Sequence, residues 1–285
     1  MNHFMITGSL DKWDPHFLQR HPAFWPLQPF AGDFVQAHAR WPGLADFQRF
    51  FEQGVETHCS ANNQPLTFVA QGARPQRFED GYEPRIYLQG EIQTRLNNWH
   101  DFFQVMVWRM FPTTKVLLNK LHHDAIKQRL DNCPNQTQRS TRENMLTQFD
   151  ECGAVVLASD PGLLALIREF QWKSLFWQRR NELAGKLKCI VFGHAIYEKL
   201  LHPYIGMTAH SVLLPVAQDL LEQSTQVIVA ETDKLLTGIF SDPHTVRSPQ
   251  DLFPFPLLGL PDWAANSSEA FYDDTGYFRP RRHNR

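Results

Sequence analysis

The sequence predicts a mainly α-helical protein with a few short strands, an α+β fold, and three observations carry that prediction. Residues 97–111 form a long apolar stretch with no polar face, and Pro112 follows at once. Helix-start signatures recur through the middle of the chain, whereas β-prone alternation is confined to short runs. Both ends are rich in proline and aromatic residues, which excludes long helices there.

Residues 1–45 read as an extended arm. Pro15, Pro22, Pro26 and Pro29 interrupt it, and Trp13, Trp25 and Trp41 are its aromatic anchors. A helix is expected near Leu44–Gly54. Pro65–Gln71 and Arg85–Gln89 both have strand character and could pair across the loop marked by Gly72 and Pro75. Asn97–Phe111 is apolar all round, the pattern of a buried helix. Pro112 stops it, and Thr113 is placed to cap a second helix over Thr114–Leu130. The two together predict a buried central helical hairpin.

A polar loop, Asp131–Arg139, comes next. Ser140-Thr141-Arg142-Glu143 matches a capping box and opens a helix that stops near Gly153. Ala154–Ala158 reads as a buried strand, and Asp160-Pro161 starts another helix with proline in its first turn. Cys189–Phe192 is a short strand, after which Gly193-His194 turns into a helix ending before Pro203. Val216–Leu221 and Thr225–Phe240 are expected to be helical. From Ser248, Pro249, Pro254, Pro256 and Pro261 leave room only for an extended strap. The expected organisation is a single globular domain over 1–285, with an arm (1–45), a helical core (46–247) and a strap (248–285).

Bulk properties narrow the function classes. A chain of 285 residues with 42% hydrophobic and 20% charged residues can bury a sizeable core as a soluble protein. Its net charge of -2 provides no global attraction for nucleic acid, so no nucleic-acid partner is expected. The basic cluster Arg279, Arg281, Arg282 and Arg285 reads as a solvated end. No apolar run is long enough to span a bilayer, and the start carries no signal-peptide pattern, so no membrane association is expected. The four cysteines, Cys59, Cys133, Cys152 and Cys189, lie far apart without a C-x-x-C pair. That pattern fits a reducing cytoplasm.

The hairpin is where chemistry concentrates. His100 lies about 16 Å from the turn and His122 about 13–14 Å, at 1.5 Å per residue, which sets the two histidines at nearly one level. Lys115, Asn119 and His122 share a face at i, i+4, i+7. Asp101 adjoins His100, with Arg95 and Asn98 just before. The helix start there suits an anion. A single buried histidine is more often a satisfied core residue than a ligand, and an Asn at a helix start is usually a cap. Burying Arg, His, Asp, Lys and Asn together is costly unless they satisfy one another, and such clusters concentrate at active sites. Two satellites join them. Asp150 and Glu151 end a helix, where acids oppose the dipole and suggest a cationic partner. His194 and Glu198 stand at i, i+4, compatible with metal binding but more ordinary as an ion pair.

The run Tyr82-Glu83, Gly90, TRLNNWHDFF (94–103), Trp108, Phe111-Pro112, Lys115, Leu118-Asn119 and His122 resembles the signature of a bacterial family of unknown function, DUF3025. FDECGA (149–154), FGHAIYEKLL (192–201) and FYDD with YFRP (271–280) resemble the rest of it. The resemblance spans roughly residues 80–280 and implies no particular reaction.

Three functions are compatible with these residues. The first is a metal-dependent hydrolase of a small phosphoester or other anionic substrate. In it His100, Asp101, His122 and Asp150 would hold a divalent metal ion, and Lys115 or Arg95 would stabilise negative charge. With His58 upstream, this set also invites comparison with the HD phosphohydrolases. The second is a metal-free enzyme or binding protein for a small anionic molecule. There Arg95, Lys115 and Arg142 would hold the anion at helix N-termini, with Asn98 as a further substrate contact, and His100, poised by Asp101 or Glu151, would be an acid–base group in a catalytic set with Asn119 and His122. The third is a non-catalytic interaction module, with the arm and strap as partner surfaces.

Overall fold

The computed structural model describes residues 12–54, 58–133 and 136–281. Residues 1–11 of the arm and Arg282 and Arg285 of the basic tail lie outside them. Helices dominate, with two small sheets, as the sequence predicts.

The arm is less extended than its prolines suggest. Two short 3-10 turns lead into helix α1 (Gln28–Gln36), with proline in its first turn, and α2 (Leu44–Glu52) follows. Proline in a first turn loses no hydrogen bond, which is why Pro29 permits a helix here. The expected aromatic anchoring holds. Trp13 stacks on Trp99 at 5.2 Å, and its Nε1 donates to the His38 carbonyl at 2.7 Å.

Strand β1 (Thr67–Ala70) forms as expected, but its partner does not. Arg85–Gln89 is the end of helix α3 (Tyr82–Gln89), and β1 pairs in parallel with β2 (Glu91–Thr94). Parallel pairing requires a crossover, and α3 supplies it. Gly90 makes the change possible. It sits at φ 74°, and a β-carbon there would lie 2.0 Å from the Pro65 carbonyl oxygen. Only glycine fits both constraints.

The central hairpin consists of α4 (Trp99–Met110) and α5 (Pro112–Asn132), joined through Phe111. Thr113 does not cap α5. Instead the Asp233 carboxylate accepts from the backbone N–H groups of Thr113 at 3.1 Å and Thr114 at 2.8 Å. A distant acid therefore satisfies donors that a local side chain usually would.

Helix α6 (Thr141–Cys152) opens on the expected capping box, Ser140 with Glu143. It runs without a loop into β3 (Gly153–Ala158), which is buried throughout. Helix α7 (Pro161–Arg168), a π-helical turn at Ser174–Gln178, and α8 (Arg180–Lys186) lead to β4 (Leu187–Val191). Then come α9 (His194–Lys199), β5 (Thr208–Pro215), α10 (Gln218–Leu221), α11 (Thr225–Ser241) and β6 (Phe253–Pro256). The second sheet has the order β4-β3-β5-β6, with β3 and β5 parallel and the outer pairs antiparallel. Strand β5 ends where a helix was expected to start, so the helix there is only Gln218–Leu221. The strap contributes β6 at the sheet edge, where its prolines are tolerated. Tyr277 anchors it, donating to the Met207 carbonyl at 2.8 Å. Apolar side chains from the arm, the helices and the strap join one buried cluster. No helix of the described residues is long and apolar enough to cross a membrane.

Candidate functional site

Sheet register builds the site. β3 and β4 are antiparallel neighbours with Ala154 opposite Val191, so residues just before β3 lie beside residues just after β4. Glu151 and His194 are those residues. The approach is closest at Gly193, where a β-carbon would fall 2.4 Å from the Glu151 carbonyl oxygen. Both Phe192 and Gly193 donate backbone N–H groups to the Gly153 carbonyl, at 3.0 and 2.9 Å. Helix α4 packs on α9 and brings His100, in its first turn, onto His194.

The imidazoles meet in an unusual way. His194 Nε2 lies 3.1 Å from His100 Nε2 and 3.6 Å from Glu151 Oε2. Their other nitrogens face acids: His100 Nδ1 is 3.0 Å from Glu198 Oε2, and His194 Nδ1 is 3.9 Å from Asp150 Oδ2. A neutral imidazole whose Nδ1 carries the proton presents a lone pair at Nε2. Two such lone pairs would repel, so either a bound cation lies between them or a protonated His100 donates its Nε2–H to His194 Nε2 at 3.1 Å. His100, Glu151 and His194 offer ligand atoms that all lie within 4.8 Å of one another.

The surroundings tune these groups. Burial is the main cause that pushes His194 down to about 3, so it is neutral at ordinary pH. Burial acts downward on His100 too, but the hydrogen bond to Glu198 and the charges of Glu151, Glu198 and Asp101 prevail and raise it. Asp150 is buried against Lys115, whose ammonium donates to Oδ1. Burial pushes the Asp150 carboxyl up, yet the charge and hydrogen bond of Lys115 hold it below its ordinary value.

This cluster occupies part of a cavity of about 670 Å3 whose wall is part polar and part apolar. His122 lies on the same wall, but it does not partner His100. Its Nδ1 is 3.3 Å from Glu83 Oε1 and its Nε2 is 3.2 Å from the Glu143 carbonyl. Burial lowers the His122 pKa, and the Glu83 charge and hydrogen bond more than reverse this, leaving it raised. Asn119 supports Glu83, donating to its carbonyl at 2.9 Å and its carboxylate at 2.7 Å.

Of the four expected metal ligands, the structure brings only His100 into the cluster. Asp101 is held by Arg95, whose Nη2 lies 2.7 Å from Oδ1 and whose backbone N–H donates to Oδ2 at 2.5 Å. His122 is engaged by Glu83, and Asp150 by Lys115. Asn98 caps α4, accepting from the Asp101 N–H at 3.0 Å. Arg142 does not line the cavity, whereas Arg139 and Arg74 do. His58 packs edge-on against Phe51 at 5.9 Å and is not on the cavity wall, so the HD-type arrangement does not form. Glu151 and His194 join His100 in place of the other expected ligands, and Glu198 stands behind His100 at Nδ1. The adjacent acids at a helix end and the i, i+4 pair were visible signals, but no spacing linked them to His100.

The family described as "Protein of unknown function (DUF3025)" matches residues 66–282. No curated protein and no solved structure matches the chain.

Proposed function

The chain belongs to the DUF3025 family, and from its side-chain geometry we propose that it is a divalent-metal-dependent hydrolase of a small anionic substrate. The observation that carries this reading is the pair of facing Nε2 atoms, 3.1 Å apart, with Glu151 beside them and acids behind both rings.

His100, His194 and Glu151 would hold the ion. Two histidines and one carboxylate leave coordination positions open, as in catalytic rather than structural sites. When bound, the ion would supply a Lewis acid and lower the pKa of a coordinated water toward neutrality. The protein's own groups do the rest. Glu198 orients His100 through the hydrogen bond at Nδ1, the usual outer support of a metal-binding histidine, while Asp150 stands 3.9 Å from His194 Nδ1 as a nearby negative charge. Lys115 pins Asp150. The water oxygen bonds to the electrophilic centre of the substrate, and the bond to the leaving oxygen breaks. That oxygen keeps the electron pair and takes up the proton that the attacking water gives up.

Titration of tag-free protein with zinc and with manganese tests the reading. One ion per chain, with binding abolished in His194→Ala and unchanged in His122→Gln, is the expected result. Wild-type protein that takes up neither ion at micromolar concentration overturns it.

A further inference from the structure

Building on the metal reading, we infer that the cavity recognises a phosphoryl group, gripped by Arg74 and Arg139. Five carboxylates line the cavity, and four of them already face a cationic or titratable partner: Glu83 with His122, Asp101 with Arg95, Glu143 with Arg129, and Asp150 with Lys115. The fifth, Glu151, lies against the imidazole pair. The carboxylates are thus committed, and the positive charge left over is on the rim.

Arg74 and Arg139 are that surplus. Both line the cavity, both are exposed, and neither has an acidic partner among the described residues. Arg139 donates through Nη1 to the Thr147 hydroxyl at 3.3 Å. The two come from separate connections, Arg74 after β1 and Arg139 before α6. Guanidinium forks match the oxygens of phosphate, and two forks need an anion with oxygens on more than one side. A phosphoryl group has enough terminal oxygens for two forks and a metal ion together, while a carboxylate has only two. The cavity volume, about 670 Å3, suits a small-molecule ligand.

Calorimetric titration of zinc-loaded protein with inorganic phosphate and with acetate tests the inference. Phosphate is expected to bind at least tenfold more tightly than acetate. R74A/R139A is expected to lose at least tenfold in phosphate affinity while still binding one zinc, and R139K to fall between. Equal affinities for phosphate and acetate, or an unchanged double variant, overturn the inference while leaving the metal reading intact. If zinc does not bind, the metal reading fails alone, and the same titrations on metal-free protein still decide the arginine assignment. Phenyl phosphate, run in parallel, separates the sources. Binding as tight as phosphate marks an ester, and binding of phosphate alone marks the free anion; arginine-dependent binding of either supports the phosphoryl assignment.

Discussion

Two histidine centres share one cavity and differ in how their ring nitrogens are used. At His122 both nitrogens have partners, a carboxylate on one side and a backbone carbonyl on the other. At His100 and His194 the outer nitrogens face acids while the inner ones face each other. The first arrangement is a satisfied buried ion pair, which fixes structure. The second turns two ring nitrogens toward one point, where a proton or a metal ion can bridge them. A buried histidine is therefore diagnostic only through what its second nitrogen does.

Substitutions can break this contrast. The largest effect is expected from His194→Ala, which should reduce bound metal from one ion per chain to none detectable by elemental analysis. Lys115→Met should come next and act on stability. Removing one partner of a buried pair costs about 3–5 kcal/mol, so the melting temperature should fall steeply, and adding Asp150→Leu should recover part of it. Glu198→Gln keeps size but weakens the support of His100. A loss of about 10–100-fold in metal affinity is expected, the usual range for such outer partners. A competition titration against a chromogenic chelator measures it.

The smallest effect tests the structural centre. Burial acts to raise the Glu143 carboxyl, but Arg129 and Ser140 outweigh it and hold the group below its ordinary value of 4.5. A depressed folded pKa stabilises the fold above the ordinary value, and that contribution disappears as pH falls through the folded pKa. Thermal melts from pH 7 down to pH 3 should therefore show part of the acid destabilisation below about pH 4.5 missing in Glu143→Gln. An unchanged pH profile in that variant would show that the Arg129 pair contributes nothing to stability.

Much of the fold was legible because it rests on local rules. The Ser140–Glu143 capping box, the proline break at Pro112 and the apolar character of Phe102–Phe111 each act within a few residues. Errors came where partners are distant. Arg85–Gln89 alternates like a strand but is helical, because β1 pairs with the next four-residue run and needs a crossover. Strand β5 was missed because a strand buried on both faces loses its alternation and cannot be told from a helix by period alone. The site follows the same division. His100 and its neighbours stood out by composition, whereas Glu151 and His194 meet only through strand register and the tight turn at Gly193. Asp101 has the chemistry of a ligand, and a nearby arginine occupies it instead.

The cap of α5 by Asp233 has a consequence for the order of events during synthesis. The acid that completes the first turn of this helix lies 119 and 120 residues beyond the donors it serves. As the chain leaves the ribosome, α5 is translated long before its cap exists. Until α11 emerges, those N–H groups have only water as a partner, and the hairpin carrying His122 is finished by the C-terminal half of the protein. Chains truncated before residue 233 should therefore lack the native cap on the first turn of α5.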